Sequence, residues 1–280
     1  MQADHFSFLS WFPGHVAQTK KKLYPLFQEG DLLLEVRDAR APLAFENRFF
    51  ERVVPKKKRI LLFNKMQLAN PKANALWQEY WKKEGEAFLF TNFHDAKEIS
   101  RIFKTVKNFQ PKTTKKVALP TRVIVYGLPN TGKSTLINRL LRKNKLKIGP
   151  KPGVTRHLTW ADLGEEIELL DSPGVIEAEI KNLKQAAYLA LLHALEPQNL
   201  SLDHVINELF EAILQQKEAL PKALVFTDKE SLSSSLWEEG KFDLSSTPDQ
   251  QTKFLLRTLQ NFREGKLGKI SLEFPPSKTL

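Results

Sequence analysis

The chain has 280 residues, 41% hydrophobic and 27% charged, which is typical of a folded globular protein and excludes a disordered one. It has no cysteine, so disulfides and thiolate metal sites are excluded. The net charge of +11 favours RNA or DNA as a partner, with a basic surface that only keeps the protein soluble as the alternative.

Short apolar runs alternate with helical patterns over the first 178 residues. This alternation predicts an α/β fold with a mainly parallel sheet and helices on both faces. The predicted strands are residues 31–36, 59–64, 87–90, 122–127 and 166–171. Apolar residues at helical spacing predict helices within 74–85 and 95–109. The segment 110–120, with a proline near each end and three lysines, is predicted to be a linker.

After residue 178 the predicted elements are mostly helices. The run AAYLALLHAL, from Ala186, is about half as long as the roughly 20 residues of a membrane span, so we predict a buried helix and no membrane partner. SLDHVINELFEAILQQ is an amphipathic helix pattern. The last predicted helix has Thr247 as its N-cap, Pro248 at its first position and Gly265 at its end. KISLEF, residues 269–274, is predicted to be a short final strand.

The stretch GLPNTGKS, from Gly127 to Ser134, matches the phosphate-binding pattern G-x-x-x-x-G-K-[ST]. It lies between a predicted strand and a predicted helix, a context that disfavours a chance glycine turn. Lys133 is expected to neutralise the β- and γ-phosphates, and Ser134 to hold Mg²⁺. Backbone N–H groups at the helix N-terminus would surround the phosphates. The other candidate nucleotide contacts of this loop are Pro129, Asn130, Thr131, Gly132 and Thr135.

A second phosphate-side motif, DSPG, begins with Asp171 at the end of a predicted strand. In such a D-x-x-G arrangement the carboxylate reaches the Mg²⁺ shell, and the N–H of Gly174 reaches the γ-phosphate. The pattern is weak alone and strong after a phosphate loop. Between the two motifs, Thr155 is a candidate switch threonine on Mg²⁺, with an ordinary loop residue as the alternative.

The run ILLFNKMQLAN, residues 60–70, ends a predicted strand in Asn64-Lys65. Guanine-reading loops have Asn-Lys-x-Asp at such a place, but Gln67 stands where the Asp would be. This run precedes the phosphate loop by about sixty residues, although in the usual order it would follow DSPG. This order would result if a chain with the usual order were cut after DSPG and its original ends were joined through the 110–120 linker. The parallel sheet would not change. Thr91 and Asn92 then supply the next base-supporting loop.

Motif, order and spacing together resemble the circularly permuted GTPases that assist ribosome assembly, and most of all the ribosome biogenesis GTPase A family. The resemblance covers nearly the whole chain. It is carried by WFPGH (11–15), VRDARAP (36–42), NKM (64–66), GLPNTGKSTLINRL (127–140), KPGVTR (151–156), LLDSPGV (169–175) and REGKLGKISLEF (263–274).

The resemblance implies a circularly permuted G domain over residues 1–178, with an N-terminal basic and aromatic extension, and a helical C-terminal domain over 179–280. It implies a cytoplasmic GTPase, monomeric off the ribosome, that binds GTP, GDP and Mg²⁺. When loaded with GTP it would bind a late precursor of the large ribosomal subunit, through rRNA and ribosomal proteins, and leave after hydrolysis. The C-terminal domain and the N-terminal basic segment would be its docking surfaces.

Two positions depart from the pattern of Ras-like GTPases. Val175 occupies the place of the glutamine that orients the attacking water. By resemblance, His15 of WFPGH acts instead, while a packing or turn-capping histidine is the alternative. The resemblance also implies a K⁺ ion at Asn130. Gln67 has one acceptor where an Asp carboxylate accepts from both the N1–H and the 2-amino group of guanine.

These departures leave two other functions open. One is a P-loop scaffold that binds RNA with little turnover, which multiple-turnover phosphate release with ribosomal subunits would exclude. The other is an ATPase or a base-tolerant NTPase, which competition between GTP and ATP would exclude.

Overall fold

The computed structural model describes residues 25, 27–47, 59–109, 119–143, 160–171, 180–195, 200–216, 218, 227–239 and 248–276. Within these ranges, the side chains of residues 142, 143, 171, 237–239 and 248 are not described. The predicted linker 110–120 and the predicted N-cap Thr247 therefore lie wholly or mostly outside the described residues. Among the helices that are described, none is both long and apolar enough to cross a bilayer.

Six strands of the described chain form one sheet. They are β1 (Leu32–Asp38), β2 (Arg59–Asn64), β3 (Phe88–Phe90), β4 (Thr121–Tyr126), β5 (Trp160–Gly164) and β6 (Ile167–Asp171). Their order across the sheet is β3-β2-β1-β4-β6-β5. Five of the six lie where the apolar runs predicted them. The three strands β1 to β3 thus come before β4 in the chain, as the permuted order requires.

The centre of the sheet is parallel. β1 pairs with β4 so that Leu32 lies opposite Val123, and β4 pairs with β6 so that Val125 lies opposite Asp171. Every residue of β1 and β2 is buried, which is the pattern of a parallel strand covered on both faces. The predicted α/β fold with a mainly parallel sheet is confirmed.

β5 was absent from the predicted strands. It pairs antiparallel with β6 and has only one buried side chain, that of Leu163. An edge strand with a single buried apolar side chain has no continuous apolar run in its sequence, so the sequence does not indicate it. The turn into β6 contains Gly164, Glu165 and Glu166, all with positive φ (73°, 52° and 58°). Two glutamates in this region are not a usual turn signal, so the hairpin was missed.

The helices of the described residues are α1 (Pro71–Lys83), α2 (Ala96–Asn108), α3 (Lys133–Lys143), α4 (Leu183–Leu191), α5 (Leu202–Leu214), α6 (Lys229–Glu239) and α7 (Pro248–Glu264). Side chains of Asn70, Asp95 and Ser201 cap α1, α2 and α5 by accepting backbone N–H groups. Gly265, with φ +77°, follows the last residue of α7, as predicted.

The final segment is not a strand, contrary to the prediction for KISLEF. The N–H groups of Leu272 and Glu273 both point to the carbonyl oxygen of Arg40, at 2.8 and 3.2 Å. The N–H of Ser271 donates to the side chain of Gln216 at 3.0 Å. The backbone N–H groups of this segment thus donate to the Arg40 carbonyl and the Gln216 side chain. They do not pair in sequence with a neighbouring strand, so no strand ladder forms.

The chain divides into two compact units. The first contains residues 1–36, 46–62 and 93–180, and the second contains residues 37–45, 63–92 and 181–280. The second unit therefore contains the helical C-terminal third and two earlier stretches. Residues 37–45 include all of VRDARAP except its first residue, and residues 63–92 include NKM. The division into domains at residues 178 and 179 stays a prediction.

Candidate nucleotide site

The phosphate loop runs from the end of β4 to the start of α3. Gly127 has φ +146°, and a Cβ there would lie 2.2 Å from the carbonyl oxygen of Val36. Any side chain would therefore push the loop off the neighbouring strand. Asn130 and Gly132 also have positive φ, 58° and 104°. This succession of left-handed residues gives the loop its tight curve.

Lys133, the first residue of α3, is only 8% exposed. Its ammonium group donates to the carbonyl oxygen of Leu128 at 2.8 Å, and the hydroxyl of Thr131 donates to the same oxygen at 2.9 Å. The cation is therefore held over the loop and not extended into solvent. The first turn of α3 contains no acidic residue, so the positive end of the helix dipole adds to the charge of Lys133. This arrangement suits an anion such as a phosphate chain.

The remaining residues of this loop differ in exposure. Ser134 and Asn130 are exposed, while Pro129, Gly132 and Thr135 are half-buried. A hydroxyl at the start of the helix can ligate an ion that also binds the phosphates. The backbone of Asp171 lies opposite Val125, two residues before Gly127. One hydroxyl and one aspartate fit Mg²⁺, which is usually held by one or two carboxylates, phosphate oxygens and water.

Four of the predicted phosphate-side groups cannot be placed. His15, Thr155 and Gly174 lie outside the described residues, and so does the side chain of Asp171. Their roles stay predictions.

A buried carboxylate lies on the strand beside β4. Glu35 of β1, opposite Tyr126, is fully buried. It accepts a hydrogen bond from the Tyr126 hydroxyl at 2.8 Å and pairs with the Arg59 guanidinium at 3.2 Å. These contacts tie β1, β2 and β4 together just before the phosphate loop begins. The sequence offered no signal for this network beyond a charged residue inside an apolar run.

The predicted base loop belongs to the second unit. Asn64, the last residue of β2, is buried, and Lys65 has a left-handed backbone with φ 64°. Met66–Leu68 then form one 3₁₀ turn, which contains Gln67. The N–H of Met66 donates to the carbonyl oxygen of Thr91 at 3.1 Å. The structure therefore brings the two predicted base-side loops, Asn64–Gln67 and Thr91–Asn92, next to each other.

The side chain of Gln67 is half-buried, but its carbonyl oxygen Oε1 is fully buried and has no hydrogen-bond partner among the described residues. A buried acceptor without a donor costs on the order of 1–3 kcal/mol.

Lys65 is held by Asp38, a residue to which the sequence gave no role. The Lys65 ammonium lies 3.0 Å from Oδ2 of Asp38, which is completely buried. Arg40 binds both oxygens of the same carboxylate, through Nε at 3.0 Å and Nη2 at 2.9 Å. Burial alone would raise the pKa of Asp38, but Arg40 and Lys65 outweigh it and hold the pKa below its ordinary range. The carboxylate is thus ionised at neutral pH.

Asp38 and Arg40 are the described residues of this site that sequence reasoning missed. Both lie in VRDARAP, a stretch that supported the family resemblance but had no assigned role. The sequence signal for this ion pair was an acidic and a basic residue two positions apart at the end of an apolar strand.

Comparisons with known proteins point to one family. Residues 122–228 match the model of the 50S ribosome-binding GTPase family. The protein named Ribosome biogenesis GTPase A from Bacillus cereus is 31% identical over 294 residues, which cover 95% of this chain and 94% of that one. Its namesake from Priestia megaterium is 32% identical over 295 residues, covering 95% and 97%.

The fold has solved counterparts. The crystal structure of GNP-bound YlqF from T. maritima matches with a TM-score of 0.68 at 24% identity, over 93% of this chain and 99% of that one. The GDP-bound structure of YlqF matches with a TM-score of 0.65. At this identity the likeness establishes the fold.

The full-length relatives and the GTPase model over the phosphate loop settle the general activity: the protein binds GTP and GDP and hydrolyses GTP. Its G domain is circularly permuted, as the strand order shows. The chain belongs to the ribosome biogenesis GTPase A family.

Proposed function

We propose that this GTPase assists late assembly of the large ribosomal subunit, binding a precursor in its GTP-loaded state and leaving after hydrolysis. The observation that carries the proposal is the buried ammonium of Lys133 in a glycine-shaped loop, in a chain similar over its length to Ribosome biogenesis GTPase A. The partner is ribosomal RNA together with ribosomal proteins. The net charge of +11 supports an RNA partner. Off the ribosome the protein is a cytoplasmic monomer.

Lys133 neutralises the β- and γ-phosphates from the position in which the Leu128 carbonyl already holds it. Ser134, Thr155 and Asp171 would hold Mg²⁺, which when bound neutralises charge on the β- and γ-phosphate oxygens. Gly174 would contact the γ-phosphate through its N–H group.

Hydrolysis also needs an oriented water. Val175 cannot hydrogen-bond to it, so His15 takes this role in our proposal. Asn130 is exposed and has a left-handed backbone within the phosphate loop, and in our proposal it ligates a K⁺ ion. A K⁺ ion there would supply the charge that an arginine finger supplies elsewhere.

In our proposal the loop Asn64–Gln67, supported by Thr91 and Asn92, reads the base. The amide oxygen Oε1 of Gln67 accepts the N1–H of guanine in this proposal. A base-tolerant NTPase is the second candidate, because a glutamine amide offers guanine one acceptor where an aspartate offers two.

Nucleotide-dependent co-sedimentation with large ribosomal subunits and their precursors tests the proposal. We expect the protein to sediment with the particles in GTP or a non-hydrolysable analogue and to be released in GDP. Lys133→Ala should abolish tight triphosphate binding, and with it co-sedimentation, while the circular dichroism spectrum stays that of a folded protein.

Two results would contradict this function. Equal sedimentation in GTP and GDP would mean that the nucleotide does not control docking. Unchanged GTP affinity in a folded Lys133→Ala protein would remove the phosphate-loop assignment itself.

A further inference from the structure

The base loop is linked to the C-terminal end of α7 by two buried charged side chains, those of Asp38 and Arg40. Asp38 pairs with Lys65 of the base loop at 3.0 Å and with Arg40 at 2.9 Å. The backbone N–H of Arg40 also donates to Asp38, at 3.1 Å. The Asp38 carboxylate thus contacts both Lys65, which precedes the 3₁₀ turn, and the guanidinium of Arg40.

Arg40 in turn reaches the last turn of α7. Its guanidinium is within 3.5 Å of the carbonyl oxygen of Phe262 and 3.4 Å of that of Arg263, and lies 5.1 Å from the centre of the Phe262 ring. The last carbonyls of a helix have no partner within the helix, and a cation there is favoured by the helix dipole. Arg40 is only 2% exposed, so this contact is made out of water.

A second and independent contact joins the same two elements. Gly265, just after α7, has φ +77°, and a Cβ added there would lie 2.7 Å from Cδ2 of Leu68. Leu68 is the last residue of the 3₁₀ turn that contains Gln67. The end of α7 therefore packs directly against the turn that presents the base-reading side chain.

We propose that Arg40 and Gly265 are positioning residues for base recognition, which set the base loop Asn64–Gln67 against the end of α7. The inference rests on the proposed base-reading role of that loop. A substitution at either residue should therefore lower the affinity for the base. The affinity of the phosphate loop for phosphates should not change. Affinity for a ligand without a base then separates this role from a general loss of structure.

The first test is Arg40→Lys, which keeps the charge but loses the two-pronged contact with Asp38 and the reach to the helix carbonyls. We expect GTP affinity to fall on the order of tenfold, the size of one charge-assisted hydrogen bond, with little change for inorganic tripolyphosphate. The matched control is Arg122→Lys in the first unit. Arg122 also pairs with carboxylates, Glu29 and Glu168, and lies 5.0 Å from the ring centre of Trp160. It should leave both affinities unchanged.

The second test does not involve Arg40, in case that substitution harms folding. Gly265→Ala should weaken GTP binding because its methyl group collides with Leu68, and Leu68→Ala in the same chain should restore much of the loss. Gly85→Ala is the control, since Gly85 has φ +70° and, apart from its chain neighbours, no atom of the described residues lies within 4 Å of an added Cβ. It carries the same backbone strain without the collision.

The outcomes separate the inference from the function on which it rests. GTP affinity that falls while tripolyphosphate affinity holds, with rescue by Leu68→Ala, supports the positioning role. If Gln67→Asp changes the preference for GTP over ATP but Arg40→Lys and Gly265→Ala do not, the loop reads the base and the positioning role is wrong. If none of the three changes base preference, the base-reading role fails and the inference fails with it. Equal losses for GTP and tripolyphosphate would make both residues merely structural.

Discussion

In our proposal, Gln67 determines how well this protein recognises guanine. Its Oε1 is buried and has no hydrogen-bond partner among the described residues. We predict that Gln67→Asp strengthens GTP binding by roughly ten- to a hundredfold, because the carboxylate adds a charge-assisted hydrogen bond, which contributes roughly 1.5–3 kcal/mol. Competition binding with GTP, xanthosine triphosphate and ATP measures the change.

Gln67→Asn is the matched control for this substitution, because asparagine has the length of aspartate and the amide of glutamine. It should not strengthen GTP binding. Wild type should tolerate xanthosine triphosphate better than Gln67→Asp does, since the amide donor suits the carbonyl that replaces the 2-amino group of guanine. If all three nucleotides bind as before, residue 67 does not face the base.

Residue patterns predicted the phosphate loop and missed the ion pairs of the base side. The spacing of Gly127, Gly132 and Lys133 fits a short chain segment around phosphates, so local sequence is enough to indicate it. Asp38 and Lys65 are 27 positions apart, and their pairing depends on β1 and β2 ending side by side. Contacts of that kind depend on tertiary structure and leave no local pattern.

Among the elements, the segment after α7 has a structural role that its sequence did not indicate. The carboxylate of Glu273 accepts the backbone N–H groups of Leu43 and Ala44 at 2.7 and 3.0 Å, and its carbonyl oxygen accepts from the indole of Trp77 at 3.1 Å. The segment therefore satisfies backbone donors of the loop after β1. A strand was predicted there, but the buried side chains of Ile270, Ser271 and Leu272 pack without a strand ladder.

We predict that Glu273→Gln lowers the free energy of unfolding by about 1–2 kcal/mol, because a neutral oxygen replaces the charged acceptor of the N–H groups of half-buried Leu43 and buried Ala44. Urea unfolding followed by tryptophan fluorescence measures the difference, and Trp77 lies at the affected contact. Glu264→Gln is the control, since Glu264 is on the surface and pairs with Lys266 and Gln260. A Glu273→Gln protein as stable as wild type would show that the segment rests on its apolar contacts alone.

For the whole molecule, our proposal gives the positive net charge a role in binding the ribosomal partner. The net charge of +11 includes dense basic clusters, among them Lys20–Lys22 and Lys56–Arg59. Lysines that neutralise RNA phosphates release bound counterions, so affinity falls steeply as salt rises. If several phosphates are contacted, binding to large ribosomal subunits should weaken on the order of 10³-fold between about 50 and 200 mM salt.

Replacing Lys20, Lys21 and Lys22 by glutamine tests which charges are responsible. Each lost phosphate contact reduces the slope of log affinity against log salt by about one, so we expect a shallower slope as well as weaker binding at low salt. Lys107→Gln is the control, because that lysine is exposed on α2 and already paired with Glu165. Sedimentation across a salt series in GTP gives both slopes. A flat response in wild type would mean that ribosomal protein, and not RNA, supplies most of the docking surface, since contacts without counterion release do not weaken in this way.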